Sequence, residues 1–357
     1  MMKLQDQKLL FFTRTMELGG TENVILQLCE IFKPLVNKIV VCSCGGVNEK
    51  KLQEMEIKHY TIPDIEIKTP DVIFNVIKCL KKIVIMENIT VIHTHHRMAA
   101  FYVRLTGLNK YCRFINTSHN TFANKRILTR FAYKGAHLIA CGEKVKRNLT
   151  DVFGLKDVQV IHNAVKPFNG DIVIDNELKK AKDAGKFLIG NIGRLSEQKG
   201  MEYFIKSVPA VIAAHPEAQF YIIGSGKDED RLKKMAEGLP VSFLGYRTDI
   251  QNLMSQLDLV VLSSLWEGLP LTPIEAFSIG KTIVATGVDG TLEIVKDEEN
   301  GLLVNAKDSE GIAEKINWMI EHPEERTRME KRAKETYVEE FSFAILAQSY
   351  INYYTSI

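Results

Sequence analysis

The 357-residue sequence is short of several things, and each shortage removes a class of answer. No apolar run is long enough to cross a bilayer as a helix, so an integral helical membrane protein is not expected. The opening residues, MMKLQDQKLLFFTRT, lack the cationic start, apolar core and small-residue cleavage site of a secretory signal. Cysteine is sparse: Cys29, Cys42, Cys44, Cys79, Cys112 and Cys141 all fall in the first half, with no regular framework. Reduced, mostly buried thiols in a cytoplasmic protein are expected from that usage. What remains is the composition of a soluble globular chain, with length for two domains of ordinary size.

Net charge is also nearly absent, at +2, yet the two halves differ. Residues 1–165 carry 24 Lys and Arg against 14 Asp and Glu, and residues 166–357 carry 22 against 30. A basic half implies an anionic partner. No recognised nucleic-acid motif accompanies the charge, so an anionic membrane surface is expected as partner ahead of nucleic acid.

Lys8 to Thr13 reads as a strand, followed by Gly19-Gly20-Thr21-Glu22 and a helix with Val24, Ile25, Leu28, Ile31 and Phe32 at helical spacing. Strand, glycine pair and helix are how a backbone approaches a phosphate or sugar closely, although an ordinary tight turn has the same letters. Lys38 to Cys44, Thr90 to His93, Arg113 to Thr117, Ala136 to Ala140 and Val158 to Ile161 read as further strands. Val72 to Met86 reads as a basic amphipathic helix. His93 and His95 share a face by alternation, which suits zinc, but histidines at a strand tip more often pack against loops or touch a substrate. Thr121 to Gly135 is expected as a helix placing Lys125, Arg126, Arg130 and Lys134 beside Phe122, Ile127, Leu128 and Phe131. It suits a membrane surface, or a solvated face with its apolar side in the core.

Residues 166–185 lack strong periodicity and are expected as an interdomain linker. A second alternation follows: strands at Phe187 to Ile192, Ala218 to Ile223 and Val241 to Leu244, each running into glycine (Gly193-Arg194, Gly224-Ser225-Gly226, Gly245-Tyr246-Arg247). Leu257 to Thr286 then holds a buried strand (Leu259 to Leu262), a break at Glu267-Gly268-Leu269-Pro270, a helix from Thr272, and another strand at Thr282 to Ala285. That order puts a helix N-terminus at the carboxyl edge of a parallel sheet. Glu267 and Glu275 flank that edge. Thr272-Pro273-Ile274-Glu275 also spells a capping box, so a cap and a ligand contact both stand for Glu275. The fold class expected is α/β, with two Rossmann-like doubly wound domains and a ligand cleft between their carboxyl edges. The domains are 1–165 and 186–335, and the helix at 336–357 is expected to pack across their junction.

In order and spacing the set Gly19-Gly20-Thr21-Glu22, His93-Thr94-His95, Ser118-His119-Asn120, Gly193-Arg194…Lys199-Gly200, Gly224-Ser225-Gly226 and Glu267-Gly268-Leu269-Pro270…Glu275-Ala276 resembles the retaining glycosyltransferases of family 4. These have the B-type fold of two facing Rossmann domains, and the resemblance spans nearly the whole chain. It implies a nucleotide-diphosphate sugar, with UDP favoured, seated mainly on the second domain. Glu275 would bind the ribose hydroxyls and Glu267 those of the donor sugar. Arg194 and Lys199 would hold the diphosphate with backbone amides near Leu271 and Thr272. Tyr246 and Arg247 lie where the family reads the base, partly through backbone. Gly193, Gly224 and Gly268 belong to the donor loops. From the first domain Gly19 and Gly20 would approach the donor and His119 the reacting centre. The catalytic set is then His119, Arg194, Lys199 and Glu267. His95, Arg97, Lys125, Arg126 and Arg130 fall on the acceptor or membrane side.

Fixed cations and helix-end amides lower the barrier to releasing a diphosphate, so no metal or other cofactor is expected. Asp228-Glu229-Asp230 opens a helix whose dipole it complements. With no convincing carboxylate nucleophile, attack on the same face as departure is favoured. One departure is His162-Asn163-Ala164, where the family often has Pro-Asn-Gly; it leaves the hinge geometry open. The function implied is hexosyl or N-acetylhexosaminyl transfer to a glycan or lipid-linked acceptor in cell-surface polysaccharide synthesis, in the cytoplasm or at the inner face of the membrane. A nucleotide-sugar epimerase and a non-catalytic glycan-binding subunit are the alternatives.

Overall fold

The computed structural model describes residues 3–357. The chain divides into two compact units: one holds residues up to Asn163 together with Leu346–Ile357, the other Ala164–Ile345.

In the first unit the chain runs β1 (Lys8–Phe12), α1 (Gly20–Phe32), β2 (Lys38–Ser43), α2 (Glu49–Glu54), β3 (Lys58–Thr61) and α3 (Pro70–Met86). It continues through β4 (Val91–Thr94), α4 (Arg97–Thr106), β5 (Arg113–Ser118), α5 (Arg126–Tyr133), β6 (His137–Ala140), α6 (Glu143–Arg147) and β7 (Val158–Val160). All seven strands are parallel, in the order β3-β2-β1-β4-β5-β6-β7. Central strands such as β1 and β4 are buried throughout nearly their whole length, as a sheet covered on both faces requires.

The second unit runs α7 (Asn176–Asp183), β8 (Phe187–Ile192), α8 (Met201–Ala214), β9 (Ala218–Ile223), α9 (Glu229–Met235), β10 (Val241–Gly245) and α10 (Ile250–Gln256). Then come β11 (Leu259–Leu262), α11 (Leu271–Ser278), β12 (Ile283–Thr286), α12 (Thr291–Ile294), β13 (Leu302–Val304), α13 (Ser309–Glu321) and α14 (Pro323–Thr336). Its six strands are parallel in the order β10-β9-β8-β11-β12-β13. Ile189, Phe220, Leu259 and Val284 from four neighbouring strands meet Phe204, Val208, Ile312 and Ile316 from α8 and α13 in one apolar core. A last helix, α15 (Phe343–Ser356), ends in the first unit, where Tyr350 and Tyr354 are fully buried.

Each sheet reverses its winding once, between β1 and β4 and between β8 and β11. At such a reversal the loops on either side diverge and leave a crevice beyond the strand ends. The site residues are therefore expected after β1, β4, β8 and β11.

Four local readings are corrected. The segment 166–185 is not wholly irregular, because Asp175 caps α7 by accepting from the Glu177 and Leu178 amides. The basic helix spans only Arg126–Tyr133, since Asn148 binds both the Phe122 amide (2.8 Å) and its carbonyl (3.0 Å) and holds that backbone out of a helix. The helical tail is interrupted at Ser342, which is extended and bridges to Val165. The helix after β11 begins at Leu271, with Pro270 as its cap residue and no side-chain cap, so there is no capping box at Thr272.

Candidate active site

The loop after β8 is built on glycine contacts. Gly224, at φ +145°, lies so close to the Gly193 carbonyl that a Cβ would stand 1.9 Å from its oxygen. No other residue fits there, and the loops after β8 and β9 touch through backbone alone. Gly200, at φ +57°, likewise leaves room for the Ser263 carbonyl, which a Cβ would approach to 2.2 Å. The Ser263 hydroxyl donates to the Lys199 carbonyl at 3.0 Å, and the Leu265 amide to the Gln198 carbonyl at 2.7 Å. These contacts lay the β8 loop along the β11 loop, across the point where the sheet reverses.

Lys199 and Glu267 meet there. The Lys199 Nζ is 2.6 Å from Glu267 Oε1, with both side chains largely out of solvent. The Ser264 hydroxyl donates to the same oxygen at 2.6 Å. The Glu267 amide donates to Asp289 Oδ2 at 3.2 Å, and Asp289 itself sits at φ +42°. The next residue, Gly290, presses on the Gly268 carbonyl, which a Cβ would meet at 1.8 Å. Two donors thus hold the Glu267 carboxylate, as burial of its charge requires, and Asp289 fixes its backbone.

The first turn of α11 follows at once. Pro270 is extended and supplies no capping oxygen, and the first turn holds no acid. The amides of Leu271 and Thr272 therefore keep their donors for something outside the helix. Glu275 stands one turn further on, half-buried, with no hydrogen bond or ion pair to its carboxylate among the described residues. Desolvation pushes that carboxyl up to about 7, with Lys199 pulling it back. Arg194 is exposed, and its guanidinium too makes no ion pair or hydrogen bond among the described residues. An unsatisfied carboxyl, a free guanidinium, a lysine and open helix-end amides around one crevice suit a ligand with a diol and an anionic group.

Tyr246 and Arg247 lie at the end of β10, two strands away from β8. The Tyr246 side chain is half exposed. Arg247 is spoken for: it makes a fork to Asp249 (2.9 and 2.8 Å) and a further bond to Asp175 (2.8 Å). Its guanidinium ties α7 to the β10 loop.

In the first unit, Gly20 opens α1 directly after β1. Gly19 is extended; a Cβ there would stand 2.4 Å from Glu22 Oε2, whose carboxylate accepts from the Thr15 hydroxyl at 2.7 Å. Three histidines cluster at the carboxyl ends of β4 and β5: His93 within β4, His95 just after it and His119 just after β5. Both nitrogens of buried His93 are taken, by the Tyr354 and Thr117 hydroxyls at 2.7 Å each, so it is a packed core histidine. His95 stacks on His119 and shares a hydrogen bond with it, Nδ1 to Nε2, at 3.1 Å. Burial lowers His119 to about 4 and His95 well below the ordinary histidine value, so both rings are neutral. The buried Nδ1 of His119, like the Nε2 of His95, has no hydrogen-bond partner among the described residues. Arg97 lies over the Phe122 ring at 4.4 Å, and Arg130 donates to the Phe153 carbonyl at 2.6 Å. Lys125 and Arg126 are exposed.

Ser264, Asp289 and Gly290 escaped the sequence reading. Asp-Gly after β12 is a turn signal, but nothing in it points to the loop after the preceding strand.

The chain matches the family model for glycosyl transferases group 1 over residues 174–336 and that for glycosyltransferase family 4 over residues 18–167. It is 29% identical over 229 residues to the lipopolysaccharide core biosynthesis glycosyltransferase LpsE of Rhizobium meliloti, covering 62% of this chain and 66% of LpsE, just under two thirds of that relative. It is 27% identical over 326 residues to UDP-Gal:alpha-D-GlcNAc-diphosphoundecaprenol alpha-1,3-galactosyltransferase of Escherichia coli, covering 82% of each. Among solved structures, Anabaena Alr3699/HepE in complex with UDP has the same fold, with a TM-score of 0.82 at 20% identity over 98% of this chain and all of that one.

Proposed function

This chain belongs to the glycosyl transferases of group 1, with a family 4 glycosyltransferase module in its first half, and we propose that it is a retaining, metal-independent hexosyltransferase. In this reading it moves a hexose or N-acetylhexosamine from a UDP-sugar to a lipid-linked or glycan acceptor in cell-surface polysaccharide synthesis, at the cytoplasmic face of a membrane. The observation that carries the reading is Glu275: a half-buried carboxyl without a partner, beside Lys199 and the uncapped start of α11. UDP in the HepE complex and the lipid-diphosphate acceptor in the name of the E. coli relative support the choice of donor and acceptor class.

The roles follow from the groups. Glu275 accepts the ribose diol, and two charge-assisted hydrogen bonds offset the cost of keeping that carboxyl ionised. Lys199, Arg194 and the Leu271 and Thr272 amides meet the diphosphate. As the glycosyl–oxygen bond breaks, negative charge grows on the departing phosphate, and these fixed groups gain most at that moment. Glu267, pinned by Lys199 and Ser264, is an acceptor for donor-sugar hydroxyls rather than a mobile nucleophile. The acceptor hydroxyl then bonds to the anomeric carbon on the face the phosphate leaves, and its proton passes to the phosphate oxygen. In the first unit the His119 imidazole stays neutral and is assigned a contact to substrate.

The test is a panel of nucleotide sugars, with and without lipid extract, read by release of nucleoside diphosphate. UDP release from a UDP-sugar is expected, slow without acceptor and faster with it. Absence of release from every donor under both conditions contradicts the proposal.

A further inference from the structure

The helices α3, α4 and α5 form one layer of the first unit. The chain steps through β4, β5 and β6 in a single direction, so right-handed crossovers put all three on the same face of the sheet, and α4 packs against both neighbours. Their outer surface is apolar in an uncommon degree. Ile127 on α5 is 87% exposed, Ile85 on α3 73%, and Tyr111, just beyond α4, 85%. Phe74 on α3, Leu105 on α4 and Phe131 on α5 are exposed as well. Between α4 and α5 lies an open groove of about 650 Å³ lined by Phe101, Ile127, Leu128 and Phe131, with Lys125 and Arg126 at its lip. A run of large side chains left in water across three adjacent helices marks a contact surface.

Charge says what it contacts. From Asn88 to Gly142, 55 consecutive residues, there is no Asp or Glu and there are eight Lys or Arg. Lys78, Lys81 and Lys82 add to them from the exposed side of α3. The acid at the end of α3, Glu87, is turned inward to Lys38 (2.9 Å) and Lys58 (2.8 Å). The Arg104 guanidinium lies over the Phe131 ring at 5.6 Å, a cation on an aromatic face. A second copy of this face would repel it, and a nucleic acid would leave the isoleucines in water. Anionic headgroups above an acyl layer satisfy both components at once.

We propose that the α3–α4–α5 face docks on an anionic phospholipid bilayer, with Ile127 and the groove beside it entering the acyl boundary while the lysines and arginines meet lipid phosphates. This deepens the reading above by giving the acceptor-side unit its membrane contact. It stands on the surface of that unit and uses none of the donor residues.

The test uses the full chain with sedimented vesicles of phosphatidylglycerol and phosphatidylcholine, against pure phosphatidylcholine. Binding to the anionic vesicles alone, weakened by raised salt, is expected. Ile127→Ser, at a site with no packing to lose, is expected to lower partitioning about tenfold. Ile127→Trp is expected to show a blue-shifted emission component on vesicle addition that the unmodified chain does not. Donor hydrolysis in solution stays unchanged in Ile127→Ser, so failure here and failure of the transferase reading are separate results. Equal binding to neutral vesicles, no binding to anionic ones, or an indole that stays in water each overturns the proposal. So does a dimer in solution that Ile127→Ser dissolves, which would assign the face to a second copy.

Discussion

Replacing Glu275 by glutamine sets stability against binding, and the two should move in opposite directions. Burial raises the folded-state value of this carboxyl from 4.5 to about 7. The native chain therefore holds that proton more tightly than the unfolded chain does. The stabilising contribution is complete below the unfolded value and is lost as pH rises through about 7. A difference of that size corresponds to about 3 kcal/mol, which partial exposure of the side chain reduces to roughly 1–2 kcal/mol. Glutamine keeps the shape and removes the charge. Without ligand, Glu275→Gln should be more stable than the unmodified chain at about pH 8 by that amount, a rise of several degrees in Tm for a unit of this size, and no more stable at about pH 4. Binding should move the other way. Two diol hydrogen bonds lose their charged acceptor, and affinity for UDP should fall by about 10- to 100-fold. Thermal unfolding across pH and UDP titration at pH 8 measure both. A variant no more stable at high pH, or one that binds UDP as well as before, would refute the reasoning.

Four further outcomes are expected. Arg194→Ala removes a guanidinium that has no partner among the described residues, so turnover should drop by about 100-fold while Tm stays put; unchanged turnover takes Arg194 out of the site. Lys199→Met leaves the Glu267 carboxylate buried and unpaired, which should cost about 3–5 kcal/mol, and adding Glu267→Gln should recover much of it. Additive losses in that double variant would show that the pair is not coupled. Gly224→Ala forces a Cβ into the Gly193 carbonyl and should cost at least about 2 kcal/mol in thermal unfolding; an unaltered Tm would mean the two loops part easily. Chelation should leave turnover intact, and its abolition by chelator overturns the metal-free reading.

The central strands were legible because buried parallel strands are short, nearly continuous apolar runs with glycine at their carboxyl ends. Phe187–Ile192, Ala218–Ile223 and Leu259–Leu262 lie where those runs place them. The strands β3 and β13 carry no such signal. Both are edge strands; Lys58–Thr61 is half-solvated and Leu302–Val304 has only three residues, so neither carries a periodicity to read. At the site, strand–loop–helix order was enough to bring Gly193, Lys199, Glu267 and the start of α11 to one edge. The letters around Glu275 permitted a cap, and only the backbone shows that the helix starts a residue earlier and leaves the carboxylate unused. Arg247 shows a different limit. Its partner Asp175 is 72 residues away in sequence, in a stretch with little pattern of its own, and a pairing of that kind leaves no local trace.

The most direct test of the donor site is a crystal of the protein soaked with a UDP-sugar. The account predicts the diphosphate against Lys199, Arg194 and the first turn of α11, with the ribose hydroxyls on Glu275. A nucleotide lodged elsewhere, with Glu275 and Arg194 turned away from it, would contradict that account.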